Sequence, residues 1–219
     1  MRLHSSGPAE PSALVKSLDQ AFRRFPARHA VAPSLGAMSP IPRGNPSKPG
    51  LAPATMRMRL ELVAPGHAEG LRAIYNREVE SGTATFDIVP RSAEDQLEWI
   101  AEHSGAHPAV VAITDEGEVV GFGSLSPYRP RAAYSTSVED SVYVAEDVQG
   151  LGLGRAVLEE LLRLAEAHGF HAVFARIAGN NEASVALHAA CGFELIGTER
   201  EVGRKFGRWL DVVCMQLLI

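Results

Sequence analysis

The 219-residue sequence predicts an α/β domain, a mixed and largely antiparallel sheet with helices packed on it. Three observations predict this class. Segments of apolar/polar alternation are interleaved with segments of helical period. A hairpin signature, "PAVVAITDEGEVVGFGSL", stands mid-chain, two apolar runs around a Gly-containing turn. Further on, the alternating "STSVEDSVYVA" runs directly into "QGLGLGRAVLEEL", a glycine turn followed by a leucine-rich helix.

The elements follow in order from Met58. "MRLELV" alternates as a strand, and "GHAEGLRAIYNREVES" carries Leu71, Ile74, Tyr75 and Val79 at helical spacing. "TATFDIV" reads as extended. "SAEDQLEWIAEH" opens a helix with Ser92 as N-cap, acids in the first turn and Leu97, Trp99 and Ile100 on the buried side. After the hairpin, the long strand and the glycine helix come a strand, "HAVFARI", a helix, "NEASVALHAAC", and two final strands, "FELIGTEREV" and "RWLDVVCMQLLI". In the glycine helix Val157, Leu158, Leu161, Leu162 and Ala165 make one apolar stripe, with Arg155, Glu159, Glu160, Arg163 and Glu166 opposite.

Composition divides the chain at Met56. Residues 1–55 hold nine of the fourteen prolines and carry a net charge of +5, whereas residues 56–219 carry −10. The first part reads as a Pro-rich, disordered extension, and its "ALVKSLDQAFRRF" as a short amphipathic helix. A floppy extension, an upstream start or a transit peptide all fit that composition. The acidic remainder is a poor partner for nucleic acid or an anionic membrane, so a polyanionic ligand must be held by local donors. Cys191 and Cys214 form no CxxC and no disulfide framework, which favours the cytoplasm. The scattered histidines give no metal-ligand spacing, and no apolar run reaches the length of a membrane span.

A strand, a Gly-rich turn and a helix form the general recipe for an anion site, because free N–H groups and the helix dipole point at the ligand. Spacing rejects two versions of it. A dinucleotide fingerprint needs a third glycine where Arg155 or Val157 stands, and a P-loop needs Lys-Ser/Thr where Arg155-Ala156 stands. What remains is Gln149-x-x-Gly152-x-Gly154, followed one strand and one turn later by Asn181-x-x-Ser184-x-x-Leu187-His188 and then Gly192-Phe193. This pair of motifs resembles the acyl-CoA site of the GNAT superfamily of N-acetyltransferases, over essentially Met58 to Ile219. "IYNREVESGTATFD", "VEDSVYV", "GLGLG", "LHAACGF" and "VGRKFGRWLDVVCMQL" are similar to the phosphinothricin and methionine sulfoximine/sulfone N-acetyltransferase branch, including His188 where the wider superfamily usually has Tyr.

The resemblance implies acetyl-CoA as co-substrate, a small-molecule amine as acceptor and a homodimer, and the histidine spacing argues for no metal. Its pyrophosphate would take the N–H groups of Gly150, Leu151, Gly152, Leu153, Gly154 and Arg155 after Gln149, with charge from Arg155. Asn181 would bind the pantetheine or adenylate end, and a backbone N–H on Val142, Tyr143 or Val144 the oxyanion. An α-amine with a pKa near ~8 is mostly protonated at neutral pH, so acyl transfer needs a base. Glu139, in the strand leading to the loop, is the residue that the resemblance implies, although Asp140 beside it is equally charged and a bulge would exchange their faces. His188 would give the leaving thiolate its proton or assist the base.

For the substrate, "YRPRAAY" brings Arg129, Pro130 and Arg131 just ahead of Glu139, two guanidiniums suited to a carboxylate. Ser135-Thr136 stands where part of the branch carries tryptophan, and Phe206, Arg208 and Trp209 either wall the pocket or close the last hairpin. The function expected is acetylation of the α-amine of a small amino-acid analogue, by direct attack in a ternary complex. The competing readings are an acetyltransferase for a protein N-terminus or polyamine, and a non-catalytic acyl-CoA-binding module.

Overall fold

The computed structural model describes residues 41–42, 55–179 and 181–219. The amphipathic helix expected at 13–25 and most of the irregular stretch at 32–54 lie outside the described residues. Within that stretch β1 (Ile41–Pro42) pairs antiparallel with β2 (Thr55–Met56), a two-residue ladder that the sequence pattern did not suggest.

The domain proper runs β3 (Met58–Leu62), α1 (Ala68–Ser81), α2 (Ala93–Glu102), β4 (Ala109–Thr114), β5 (Val119–Pro127), β6 (Ser137–Val144), α3 (Leu153–Ala167), β7 (Ala172–Ala178), α4 (Glu182–Ala190), β8 (Glu194–Lys205) and β9 (Arg208–Leu218). Seven strands form one sheet in the order β3-β4-β5-β6-β7-β9-β8. Every neighbouring pair is antiparallel except β6–β7. The mixed, largely antiparallel α/β class read from the sequence is the one observed.

Period-two alternation distributes the apolar residues to two cores. On β4, Val110 and Ala112 face α3, joining Val157, Leu158, Leu161 and Ala165, while Val111 and Ile113 face α1 and α2, joining Leu71, Tyr75 and Ile100. With both faces covered, β4 is buried at every position and reads as a continuous apolar run. α3 comes unusually close to β5, because β5 presents glycines beneath it. A Cβ at Gly123 would stand 2.7 Å from Leu161 Cδ1 and 2.8 Å from Val157 Cγ1, and one at Gly121 would stand 3.2 Å from Leu153 Cδ2.

Ser92 caps α2 as expected, in a reciprocal capping box with Asp95. Three details of the reading are corrected. "TATFDIV" forms no strand, and Ile88 and Val89 are exposed. Side chains satisfy this segment in place of a ladder: Tyr75 Oη lies 3.0 Å from Thr85 Oγ1 and donates to Asp87 Oδ2 at 2.5 Å, and Lys205 Nζ donates to the carbonyls of Glu78 and Thr85, both at 2.9 Å. On α2 it is Gln96, held by Arg91, that is buried, while Leu97 stays exposed. On α3, Leu164 is buried and Leu162 only half-buried.

The α3 seat generates a test. Gly123→Ala forces Leu161, Val157 or the Ser141 carbonyl to move, an overpacking expected to cost about 1–3 kcal/mol. Gly197→Ala, where a Cβ meets nothing within 4 Å, is expected to stay within about 0.5 kcal/mol of the parent. Urea unfolding of both variants measures the contrast.

Candidate active site

β6 and β7 are hydrogen-bonded only from Ser137↔Ala172 to Asp140↔Ala175. Beyond that point they part. Ser141 to Val144 are paired on the β5 side alone, and Arg176 to Ala178 on the β9 side alone. The fork encloses a cavity of about 60 Å³, lined by Asp140 to Tyr143 on one strand, Ala175 to Ala178 on the other, and Asn181, Ser184 and His188 of α4. An open strand edge thus presents backbone donors and acceptors to a small cleft.

The glycine loop stands where β6 ends. Gln149 Nε2 donates to the Val144 carbonyl at 3.1 Å, tying the loop's start to the open edge. Gly150 (φ 74°) and Gly152 (φ 87°) adopt the left-handed backbone that glycine alone takes readily. Gly152 is the N-cap of α3 and offers no side-chain acceptor. The first intrahelical bond runs from the Ala156 N–H to the Gly152 carbonyl, so the N–H groups of Leu153, Gly154 and Arg155 precede the helical ladder. Leu151 packs against the core and the Leu153 side chain is buried in it, so these two residues have only backbone to offer a ligand. Arg155 is exposed and ion-paired with Glu159 at 2.7 Å. A Cβ at Gly154 would touch Leu187 of α4 at 3.4 Å, which brings the two functional helices together at this end of the fork.

The register from β5 to β6 is unbroken, so no bulge exchanges Glu139 and Asp140. The two carboxylates point to opposite faces of the sheet. Asp140 lies under α4, where its Oδ2 is 3.0 Å from His188 Nε2. His188 Nδ1 lies 2.7 Å from the Ser184 carbonyl, and a carbonyl can only accept, so Nδ1 carries a proton and Nε2 shares one with Asp140. Burial alone would discharge the imidazole, but the hydrogen bond and charge of Asp140 and the Ser184 carbonyl outweigh it and hold the His188 pKa above its usual value. Asp140 Oδ1 is buried without a hydrogen-bond partner.

Glu139 faces the other side, level with Phe174 on β7 and two residues short of Arg176 on the same face. Burial pushes its carboxyl above the usual carboxylate range. Arg176 and Arg129 pull it down, and Asp140 and Glu199 push it up. Tyr128 stacks on Phe174, 4.0 Å between centroids, and Tyr134 packs edge-on against Tyr128, so aromatic contacts lay the loop of Arg129, Pro130 and Arg131 beside the Glu139 face. Arg129 lies over the Tyr128 ring at 4.9 Å and Arg131 precedes a single turn, Ala132–Tyr134, and both arginines are exposed. The Tyr143 ring points into the second core and stacks on Phe122, and its backbone pairs with Phe122 on β5, so the groups open to the cleft are those of Val142 and Val144. Asn181 Oδ1 caps α4 through the Ser184 N–H, and the residue also lines the cleft. Phe206, Arg208 and Trp209 close the last hairpin, with Lys205↔Arg208 paired around Phe206-Gly207 and both aromatics exposed.

The fork therefore brings together His188, Asn181, the open edge of Val142 to Val144 and the glycine loop, with Glu139 and Arg129 on its far side. Sequence reasoning missed Asp140 as the partner of His188, Arg176 as a lining residue and Phe174 as the floor of the arginine loop. Strand alternation could have separated Asp140 from Glu139, and register was the missing information for the rest.

The His188–Asp140 pair makes stability depend on pH. A histidine whose folded pKa is raised contributes stability that is complete below its unfolded value near ~6.5 and is lost as pH rises through the folded value. Asp140→Asn is therefore expected to lower the His188 titration midpoint seen by NMR. It should also destabilise the protein more at pH 5.5 than at pH 9. A stability difference independent of pH would contradict the pairing.

Known proteins resemble this chain in sequence and in fold. Residues 71–193 match the acetyltransferase (GNAT) family. The chain is 41% identical over 149 residues to the L-methionine sulfoximine/L-methionine sulfone acetyltransferase of Pseudomonas paraeruginosa, covering 68% of this chain and 87% of that one. Among solved structures it resembles a phosphinothricin acetyltransferase from Sinorhizobium meliloti in complex with acetyl-CoA, at 36% identity and a TM-score of 0.72, covering 74% of this chain and 88% of that one. It also resembles a ribosomal-protein-alanine N-acetyltransferase from Brucella melitensis, at 38% identity and a TM-score of 0.71, covering 73% of this chain and 99% of that one. The chain belongs to the GNAT family and is an N-acetyltransferase.

Proposed function

We propose that the protein transfers the acetyl group of acetyl-CoA to the α-amine of a small amino-acid analogue of the phosphinothricin, methionine sulfoximine or methionine sulfone type, by direct attack in a ternary complex. The observation that carries this reading is the fork itself, with free helix-terminal N–H groups at one end and a carboxylate on its far side. The pyrophosphate would lie on the N–H groups of Gly150 to Arg155, where the dipole of α3 favours an anion. Pantetheine would then run along the open edge of β6, with Asn181 as a further partner and a backbone N–H of Val142 or Val144 polarising the thioester carbonyl.

Glu139 takes the amine proton in this reading, directly or through a water. Its raised pKa supports the role, because a base whose pKa approaches the working pH gains driving force. The amine nitrogen attacks the carbonyl, the tetrahedral intermediate collapses and the C–S bond breaks. His188, which shares a proton with Asp140, gives it to the leaving thiolate, and the second amine proton is lost to solvent. Arg129 and Arg131 would hold the α-carboxylate, a group that a polyamine lacks and a protein N-terminus carries only at the far end of the chain. The Brucella likeness keeps the N-terminal amine as the second reading. We also propose a homodimer, to which the edge strand β8 would offer exposed Leu195, Ile196 and Val202. No helix among the described residues is long and apolar enough to cross a membrane, and no cluster of three metal-ligand side chains occurs among them.

Free-thiol release from acetyl-CoA, measured across phosphinothricin, methionine sulfone, methionine sulfoximine, a polyamine and an alanine-initiated peptide, tests the substrate class. Turnover confined to the peptide or the polyamine would overturn it. Glu139→Gln is expected to lower kcat by about 10²–10⁴, with the KM for acetyl-CoA changed by less than threefold. Equal losses in both would remove Glu139 as the base. In the parent enzyme kcat/KM should fall as pH drops through the raised Glu139 pKa, and the Gln variant should lack that limb.

A further inference from the structure

Among the described residues Arg176 is the arginine on the strand walls of the fork, and the acyl-transfer steps described above make no use of it. It stands two residues beyond Phe174 on β7, hence on the Glu139 face of the sheet. Its side chain is 37% exposed and reaches across β9 to an ion pair with Glu199 on β8. Arg129 arrives from the opposite side. Both guanidiniums act on Glu139, and each repels the other.

The arrangement therefore holds two cations around one reacting carboxylate. Glu199 neutralises one of them through an exposed pair, an interaction that adds little to stability. A planar guanidinium on the Glu139 face of the sheet fits an anion with two equivalent oxygens, which it can take through two parallel hydrogen bonds. With the α-carboxylate assigned to Arg129 and Arg131, Arg176 lies where a second acidic group would end.

We propose that Arg176 recognises an anionic group at the end of the substrate's side chain, a phosphinate or carboxylate, and that Glu199 occupies the guanidinium until that group displaces it. This rests on the amino-acid reading of the site and ranks its candidates. Phosphinothricin ends in a phosphinate with two anionic oxygens. Methionine sulfone ends in a neutral sulfone that cannot compete with Glu199 for the guanidinium. The enzyme is accordingly selective for acidic side chains.

The test compares kcat/KM for phosphinothricin and for methionine sulfone at saturating acetyl-CoA, in the full-length enzyme and in Arg176→Gln, Arg176→Lys and Glu199→Gln. The parent should favour phosphinothricin. Arg176→Gln should cut that preference about tenfold or more, as expected for losing a charge-assisted contact, and Arg176→Lys should restore part of it. Glu199→Gln should raise the preference, because the guanidinium no longer has an internal partner. An unchanged ratio in Arg176→Gln, with both substrates losing equally, would show Arg176 acting only on Glu139 or on the β8 contact and would overturn the proposal. A parent enzyme that prefers methionine sulfone would overturn it while leaving the amino-acid reading standing. Turnover of neither compound would remove the reading beneath it as well.

Discussion

Everything at the candidate site depends on the parting of β6 and β7 after Asp140 and Ala175. These are the only parallel neighbours in the sheet, and parallel neighbours need a crossover connection rather than a tight turn. Here the crossover is the glycine loop and α3, so the connection that makes the strands parallel also supplies the helix N-terminus at their open end. A continuous ladder would have satisfied the β6 edge internally. Its release leaves backbone groups free for a ligand, and buried backbone groups do not stay unpaired without cost.

The fork would also let two opposed carboxylates serve the proposed reaction. Strand alternation sends Glu139 and Asp140 to different faces. In an ordinary sheet that would separate their chemistry completely. Where the strands part, a thioester can lie between the faces, with the amine and Glu139 on one side and the His188–Asp140 pair on the other. Precision of this kind needs rigid support, and the close approach of α3 to Gly121 and Gly123 provides it. The same economy holds at the far rim, where Lys205 bonds two carbonyls and fixes the segment between α1 and α2 against the last hairpin.

Much of the architecture was legible in the sequence, because local rules and tertiary packing agree there. The hairpin, the Ser92 cap, the apolar stripe of α3 and the glycine spacing all specify their structures through short-range chemistry. The failures are the places where tertiary contacts override local pattern. "TATFDIV" has strand composition, yet its partners are the Tyr75 hydroxyl and an amine 120 residues away, and Gln96 displaces Leu97 from the buried face because Arg91 is there to receive it. At the site, the glycine loop and His188 were visible as motifs. Asp140 and Arg176 became meaningful only once register showed which helix or strand each one faces.

The central claim is that the released edge of β6 and the N–H groups leading into α3 form the acetyl-CoA site. Amide hydrogen exchange resolved to single residues, with and without acetyl-CoA, tests it most directly. The account predicts slowed exchange at Gly150 to Arg155 and at Val142 and Val144 in the complex, with little change at Ala73 to Ser81 on α1, the opposite wall of a larger groove that Val144 and Gln149 also line. Protection confined to α1, with the loop and the β6 edge unchanged, would contradict it.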